Sequence, residues 1–557
     1  MIPIPVPEFK VMNSKKLLKQ EKMAGIAGLL DGKFVKSSDI VKVLEQVIRP
    51  NETVALEGDN QKQAADLSRA LTQVDSAKVN GLRMVMSCTQ MDEHLDIFDK
   101  GIARELNVSY IGNMSARLPK MIEAGTVKIG AIHTYLELFS RMFTDLIPNV
   151  CLCVAEAADK EGNLYTGPNT EETPTIIEAT ACKDGIVIVQ VNEIVDKLPR
   201  IDIQSEWVDV IMKSDEPCSI EPLMTRDPAK ITNLHVLQAM MIMKGIYAKH
   251  HIDRMNHGIG YVSAALELLL PTYGEELGLK GKICKHWVAN PIPAMIPAIE
   301  SGWAESCVAF GSEVGMGEYV KARSDIFFTG VDGALRSNRC YAQMAGLYGC
   351  DMFTGSTLQM DYYGNSTTVT KTRITGYGGA PNMGSNPNGR RHTSAAWSSM
   401  VIDHDDPMAH GRKLVTQIVR TQVKNKKTGE MIDCIVPELD AVATAKKAGL
   451  SEPLVMIHGD DVTHLVTEVG IAYLYMAKSK EERKELIAAV AGQTALGKTM
   501  TDERRNQLRA EGKIALPEDL DIDPATATRD RLAAQDFNDI VEWSHGLYTI
   551  PDKFKEQ

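Results

Sequence analysis

The chain has 557 residues, 44% of them hydrophobic and 24% charged, a balance that argues against a disordered, collagenous or membrane-embedded polymer. No run approaches the roughly 20 apolar residues that a membrane helix needs, and a net charge of -12 makes a phosphate backbone an unfavourable partner, so neither a membrane segment nor nucleic acid is expected. Ten cysteines without a Cys-x-x-Cys pair predict reduced thiols, no zinc and a cytoplasmic location; the N-terminus, Met1–Pro7, lacks the basic-then-apolar order of a signal peptide.

Residues 1–24 read as an N-terminal arm. From 25 to 225, short β-branched runs alternate with amphipathic stretches, which predicts an α/β domain with a largely parallel sheet. Thr53–Leu56, Met84–Met86, Val108–Ile111, Val150–Val154 and Ile186–Val191 read as buried strands, and Gln61–Leu71 as a helix. Pro217, Pro222 and Pro228 mark a boundary. A second α/β domain follows over 230–480, beginning with a helix over Leu234–Lys249. Residues 481–557 read as a helical C-terminal extension, with a charged helix after Ser479 and an apolar segment at Ile540–Tyr548 suited to docking.

The two domains echo each other. The loop Glu57-Gly58-Asp59-Asn60-Gln61 follows a strand and leads into a helix, as does Asn256-His257-Gly258-Ile259-Gly260 before the helix Ala264–Leu270. Further on, Asp159-x-x-Gly162-Asn163 is matched by Asp361-x-x-Gly364-Asn365. The glycines at 58 and 258 are 200 residues apart and the asparagines at 163 and 365 are 202 apart, so the echo keeps one register and predicts a duplicated domain.

Chemistry is concentrated in three loops. Thr375–Gly389 holds five glycines, too many for a regular element, and is followed by Arg390, Arg391 and His392. Backbone N–H groups at Gly378, Gly379 and Ala380 suit a developing oxyanion, and the two arginines suit a carboxylate or phosphate. Glu313, in Ser312-Glu313-Val314-Gly315, follows an apolar run and is a candidate nucleophile or base. Glu468 is a similar carboxylate near the second core. The loop at Glu57–Gln61 lacks the glycine spacing of a dinucleotide fingerprint, and no phosphate-binding Gly-x-x-x-x-Gly-Lys loop occurs, so neither a nicotinamide cofactor nor ATP is expected.

These loops, in this order, resemble family I CoA-transferases. Asn256–Gly260 is similar to the Asn-x-Gly-Ile-Gly loop that opens their second domain. Ser312–Gly315 is similar to their Ser-Glu-Asn-Gly nucleophile motif, with Val314 in place of Asn. The whole chain resembles the α subunits of malonate decarboxylase, most clearly at Leu56–Gln63, Asn163–Thr170, Gly378–His392, Asp461–Glu468 and Val541–Tyr548.

That resemblance implies two related open α/β domains and transfer of an acyl-carrier-protein (ACP) thiol from acetyl-S-ACP to malonate, giving malonyl-S-ACP and acetate. It implies binding of CoA, or of the CoA-derived arm of a partner carrier protein, with no covalent cofactor and no metal. It also implies decarboxylase subunits as companions. The residues expected to serve are Glu313 and Gly378–Ala380 in catalysis, and Glu57, Asn60, Gln61, Asn256, Gly258, Gly260, Asn382, Arg390 and Arg391 in binding. The helix N-terminus after Asn60 is a further anion site, and the basic patch Lys424, Lys426 and Lys427 is a candidate carrier-docking surface. Two routes stay open, a covalent glutamyl intermediate on Glu313 and direct attack by malonate. So do a transferase for another carboxylic acid, as in citrate lyase α subunits, a thioester hydrolase on the same fold, and a non-catalytic carrier scaffold.

Overall fold

Strands that are apolar at nearly every position need cover on both faces. The computed structural model describes residues 14–58, 62–217, 222, 224–385 and 413–555. The first sheet holds β1 (Phe34–Val35), β2 (Thr53–Leu56), β3 (Leu82–Thr89), β4 (Ala103–Ile111), β5 (Lys128–Ile132), β6 (Val150–Asp159), β7 (Leu164–Tyr165), β8 (Ile186–Val195) and β9 (Val210–Lys213). The order is β1-β9-β8-β6-β2-β3-β4-β5, parallel throughout, with β7 antiparallel against β6. Val54, Leu56 and Leu152 point into one core, while Ala55, Cys151 and Cys153 point into another. The period of two thus divides each strand between two hydrophobic layers. All five predicted strands lie inside observed ones.

The second half carries β10 (Arg254–His257), β11 (His286–Val288), β12 (Ser306–Val308) and β13 (Met352–Ser356), then the short pieces β14 (Gln359–Asp361), β15 (Ser366–Thr367), β16 (Val369–Thr370) and β17 (Arg373–Ile374). After these come β18 (Leu414–Ile418), β19 (Gln422–Lys424), β20 (Met431–Asp433), β21 (Ile435–Val436), β22 (His464–Val466), β23 (Ile471–Tyr473) and β24 (Ile514–Ala515). The main sheet runs β12-β11-β10-β13-β18-β22-β23-β24, and its last two pairings are antiparallel.

Read from β4, the first sheet is β4-β3-β2-β6-β8-β9. The second is β12-β11-β10-β13-β18-β22. The two match strand for strand, so the fold is α/β and duplicated, and the loops after β2 and β10 occupy equivalent places. The matched turns are alike down to their hydrogen bonds. Asn163 donates its backbone N–H to Asp159 Oδ1 at 2.8 Å and its side-chain amide to Oδ2 at 2.8 Å. Asn365 does the same to Asp361 at 2.9 and 2.7 Å.

Two of three local expectations need correcting. The helix expected over Gln61–Leu71 starts at Ala65, because the Ala64 N–H first closes back onto the Glu57 carbonyl at 2.9 Å. The helix expected over Leu234–Lys249 is present, α-helical over Asn233–Ile242 and widened into a π-helical stretch over Met243–Ala248. The C-terminal extension is not only helical, since it also contributes β24 to the second sheet. Its apolar residues Ile522, Phe537, Ile540 and Tyr548 join the core of the second half.

Candidate active site

In each sheet the chain order reverses once, between β2 and β6 and between β10 and β13. Ligands of open α/β sheets bind in the crevice beyond the strand ends at such a point. In the first half the chain fills this place itself. Glu57, just after β2, is fully buried; its Oε2 accepts the Val154 N–H at 2.8 Å, its Oε1 accepts the Thr173 hydroxyl at 2.5 Å, and the Lys62 ammonium lies 3.9 Å away. Glu57 is therefore a core carboxylate and not one of the described residues around the cavity described below.

His94 lies buried beneath this loop, and burial lowers its pKa to about 4. In the unfolded chain a histidine titrates near 6.5, so between those values the unfolded state binds the extra proton. The stability held above pH 6.5 is lost as pH falls toward 4, by about 3 kcal/mol in full. Urea unfolding at pH 7.5 and pH 5 is expected to show about 2 kcal/mol of this loss in the wild type and less in His94→Asn.

In the second half the crevice is open. A cavity of about 370 Å³ is lined by the residues after β10, the residues after β13 and the glycine loop, and is closed from the first half by Tyr110 and Tyr135. Asn256, Gly258 and Gly260 all reach it, as do Gly378, Gly379 and Ala380. The helix Tyr261–Leu269 begins at Gly260 with no side-chain cap, so its first N–H groups are left for whatever occupies the cavity.

The glycine loop is held against the first sheet. Ile111 donates to the Thr375 carbonyl at 2.8 Å, and Tyr377 and Gly378 donate to the Ser109 carbonyl at 2.8 and 3.1 Å. The Ala380 N–H turns back to Tyr377 at 3.2 Å, starting a one-turn helix over Ala380–Met383 that its composition did not predict. Of the three N–H groups expected to face an oxyanion, two are thus engaged within the chain. The Gly379 N–H is left, alongside those of the helix start. Asn382 is buried behind the wall and braces Gln343 through its amide at 2.8 Å.

Glu313 does not line the cavity. It is 2% exposed, and its Oε1 accepts the Thr225 N–H at 3.2 Å and the Thr225 hydroxyl at 2.8 Å. It lies one layer back, close enough for its charge to act on Arg226. Gly311, two residues earlier, must lack a side chain, because a Cβ there would overlap the Glu171 carboxylate and the Asn169 amide of the first half. On the far side, Thr549 donates to the Gly315 carbonyl at 3.0 Å, so the C-terminal segment clamps the loop. Glu468 accepts the N–H and hydroxyl of Thr421, a structural role.

Among the described residues the cavity is lined by two cations that sequence reasoning missed, Arg226 and Arg339. Arg339 is 2% exposed, ion-paired to the buried Glu171, and stacked over the Tyr135 ring at 4.7 Å. Arg226 is partly desolvated, which lowers its pKa from the ordinary value. Neither stands in a motif, and the partner of Arg339 is 168 residues away in sequence. Of the remaining predicted residues, Asn60, Gln61, Arg390 and Arg391 lie outside the described residues. The anion site expected at a helix start after Asn60 is displaced, since that helix begins at Ala65. Lys424, Lys426 and Lys427 are exposed around the β19–β20 hairpin. Among the described residues, no three His, Cys, Asp or Glu side chains cluster as metal ligands, and no helix is long and apolar enough to cross a membrane.

Comparison with known proteins finds relatives along nearly the whole chain. Residues 11–557 match the family model described as malonate decarboxylase, alpha subunit, transporter. A curated protein of Malonomonas rubra, acetyl-S-ACP:malonate ACP transferase, is 51% identical over 530 residues, covering 94% of this chain and 95% of that one. The crystal structure of a malonate decarboxylase alpha subunit from Acinetobacter baumannii superposes with a TM-score of 0.92 at 52% identity, over 98% of this chain and 100% of that one. A Pseudomonas malonate decarboxylase hetero-tetramer in complex with malonate contains a chain with a TM-score of 0.92 and 51% identity, over 99% and 100% of the two chains.

Proposed function

The chain belongs to the malonate decarboxylase alpha-subunit family, and from that premise we propose that it exchanges the carboxylic acid on a carrier thiol: acetyl-S-ACP and malonate enter, malonyl-S-ACP and acetate leave. The observation that carries this reading is the end-to-end identity with a protein named for that transfer. The cavity suits it. Exchange between a thioester and a carboxylate nearly conserves free energy, so no nucleotide is required. The barrier lies in the weak nucleophilicity of the carboxylate and in charge gathering on the carbonyl oxygen. The Gly379 N–H and the start of the 261–269 helix supply donors for that oxygen, each worth roughly 10²–10³ in rate. Malonate is a dianion, and Arg226 at the cavity wall is the cation best placed to receive it.

The carrier's thiol arm enters as substrate, in this reading a CoA-derived arm on a partner carrier protein, with decarboxylase subunits consuming the malonyl thioester in the cytoplasm. The assay is direct: the pure chain with acetyl-CoA and malonate, citrate or succinate, the thioester product being identified by mass spectrometry. Malonyl-CoA is expected. Hydrolysis to free CoA alone, or no turnover with a loaded carrier protein either, would refute the transferase reading.

The setting of Glu313 behind Thr225 favours direct attack by malonate over a glutamyl intermediate. Glu313→Gln is therefore expected to keep exchange within about tenfold of wild type, because the amide oxygen can still accept from Thr225. Hydroxylamine or borohydride applied during turnover should trap no Glu313 peptide; recovery of that adduct by peptide mapping would assign the covalent route.

A further inference from the structure

Glu267 is the single charged residue in the otherwise apolar or small-polar helix Tyr261–Leu269. It is 1% exposed and borders the cavity. Its Oε1 meets His257 Nδ1 at 2.9 Å. His257 Nε2 meets the Tyr247 hydroxyl at 2.9 Å, and that hydroxyl meets Thr354 Oγ1 at 2.8 Å. Oε2 of Glu267 is buried and has no hydrogen-bond partner among the described residues. One helical turn earlier, on the same face, the buried Ser263 hydroxyl also lacks one and also borders the cavity.

One arrangement of protons carries the contacts through in a single direction. Burial raises the Tyr247 pKa well above its ordinary value, so the phenol keeps its proton. When it donates to His257 Nε2, the neutral imidazole carries its own proton on Nδ1 and donates to Glu267 Oε1. Oε2 is then the one atom of the relay left open. A buried carboxylate oxygen without a donor is costly unless it holds a proton or meets a donor from the ligand. An oxygen that holds a proton while its twin accepts from a neutral histidine can give that proton up, because the resulting carboxylate keeps the His257 hydrogen bond.

We infer that Glu267 lends its Oε2 proton to the sulfur that leaves the acyl group and takes it back when that sulfur returns. This rests on the transferase reading above. In the first half-reaction the attacking carboxylate oxygen bonds to the acetyl carbonyl carbon. The C–S bond breaks with its electron pair on sulfur, and the proton of Glu267 converts that sulfur to a thiol. In the second, the thiol attacks the malonyl carbonyl of the anhydride, acetate departs with the C–O electron pair, and the thiol proton returns to Glu267. No proton is consumed overall, as the exchange requires. The other groups that face Glu267 are the thiols of Cys284 and Cys307, whose ionisation a negative charge on Glu267 would oppose, and Arg226 and Arg339 border the same cavity.

The test compares two acetyl donors of different leaving-group acidity with malonate as acceptor. From acetyl-CoA the leaving group is an alkyl thiolate, a base strong enough to profit from a proton; from S-phenyl thioacetate it is a less basic aryl thiolate. Glu267→Gln keeps the side-chain shape and the contact to His257 but has no proton to lend. It is expected to lower kcat/KM for acetyl-CoA by about 10²–10⁴, and for S-phenyl thioacetate by less than about tenfold. Tyr247→Phe, which removes the donor to His257, should show the same donor dependence with smaller losses, and circular dichroism checks that both variants are folded. Equal losses with both donors, or a Glu267→Gln enzyme at the wild-type rate with acetyl-CoA, would overturn the inference and leave the transferase reading standing. A wild-type chain that forms no malonyl thioester from acetyl-CoA or from a loaded carrier overturns both.

Discussion

Gly379→Val is expected to depress thioester exchange by about a hundredfold or more. A Cβ at 379 would stand 2.6 Å from Nε2 and 2.8 Å from Oε1 of Gln343. Gln343 has little room to yield, since it is buried and its Oε1 is held by the Asn382 amide. The backbone of 379 must then shift, and with it the N–H that residues 378–380 leave for the carbonyl oxygen. The backbone angles of Gly379 suit any residue, so the cost comes from contact and not from dihedral strain. Both routes of attack pass through an oxyanion, so the loss should be the same whichever carboxylate attacks. Turnover of acetyl-CoA with malonate, measured on protein whose circular dichroism matches wild type, checks this. Normal turnover would move the reacting carbonyl away from this loop.

The second large effect is on stability. Arg339 and Glu171 form an ion pair with both side chains almost completely buried, one from each half of the molecule. Breaking such a pair from one side leaves an uncompensated charge in the interior and costs about 3–5 kcal/mol. Arg339→Met is expected to lose that much in urea unfolding. Glu171→Gln combined with Arg339→Met should recover much of it, because the residual cost is the stranded carboxylate. A double variant as unstable as the single one would show that the stacking of Arg339 on Tyr135 matters more than its charge.

These two sites differ in how far the sequence disclosed them. Gly379 stood out because five glycines within fifteen residues exclude a regular element over most of that span. Arg339 left no trace, since an arginine near a helix start looks like any solvated one until the fold brings Glu171 to it. The strands were readable because runs such as Val150–Val154 must be covered on both faces, and the duplication because two turns and two loops kept one register. The start of the helix at Ala65 was not readable, because it depends on how the Glu57 loop closes. Glu313 was legible as a motif and illegible as a position: its place behind Thr225 is set by segments far apart in the chain. Glu267 carried a signal that was passed over, a lone carboxylate between apolar neighbours in Ala264-Ala265-Leu266-Glu267-Leu268-Leu269. Such a residue is buried with a polar partner or serves a ligand.

The two-residue strand β24 has a bearing on solubility. A sheet that ended at β23 would offer Ile471–Tyr473 as an open row of backbone donors and acceptors, flanked by apolar side chains, and such an edge templates pairing with another molecule. The chain answers with a guard of its own. Ala515 and Ile514 cover that row, and Pro517, which has no N–H to donate, follows two residues later. The new outer edge is too short and too soon interrupted to recruit a neighbour. A chain cut after residue 480 would keep the described residues that line the cavity and is expected to aggregate, so the extension shields this sheet edge from a second molecule as well as clamping the Glu313 loop.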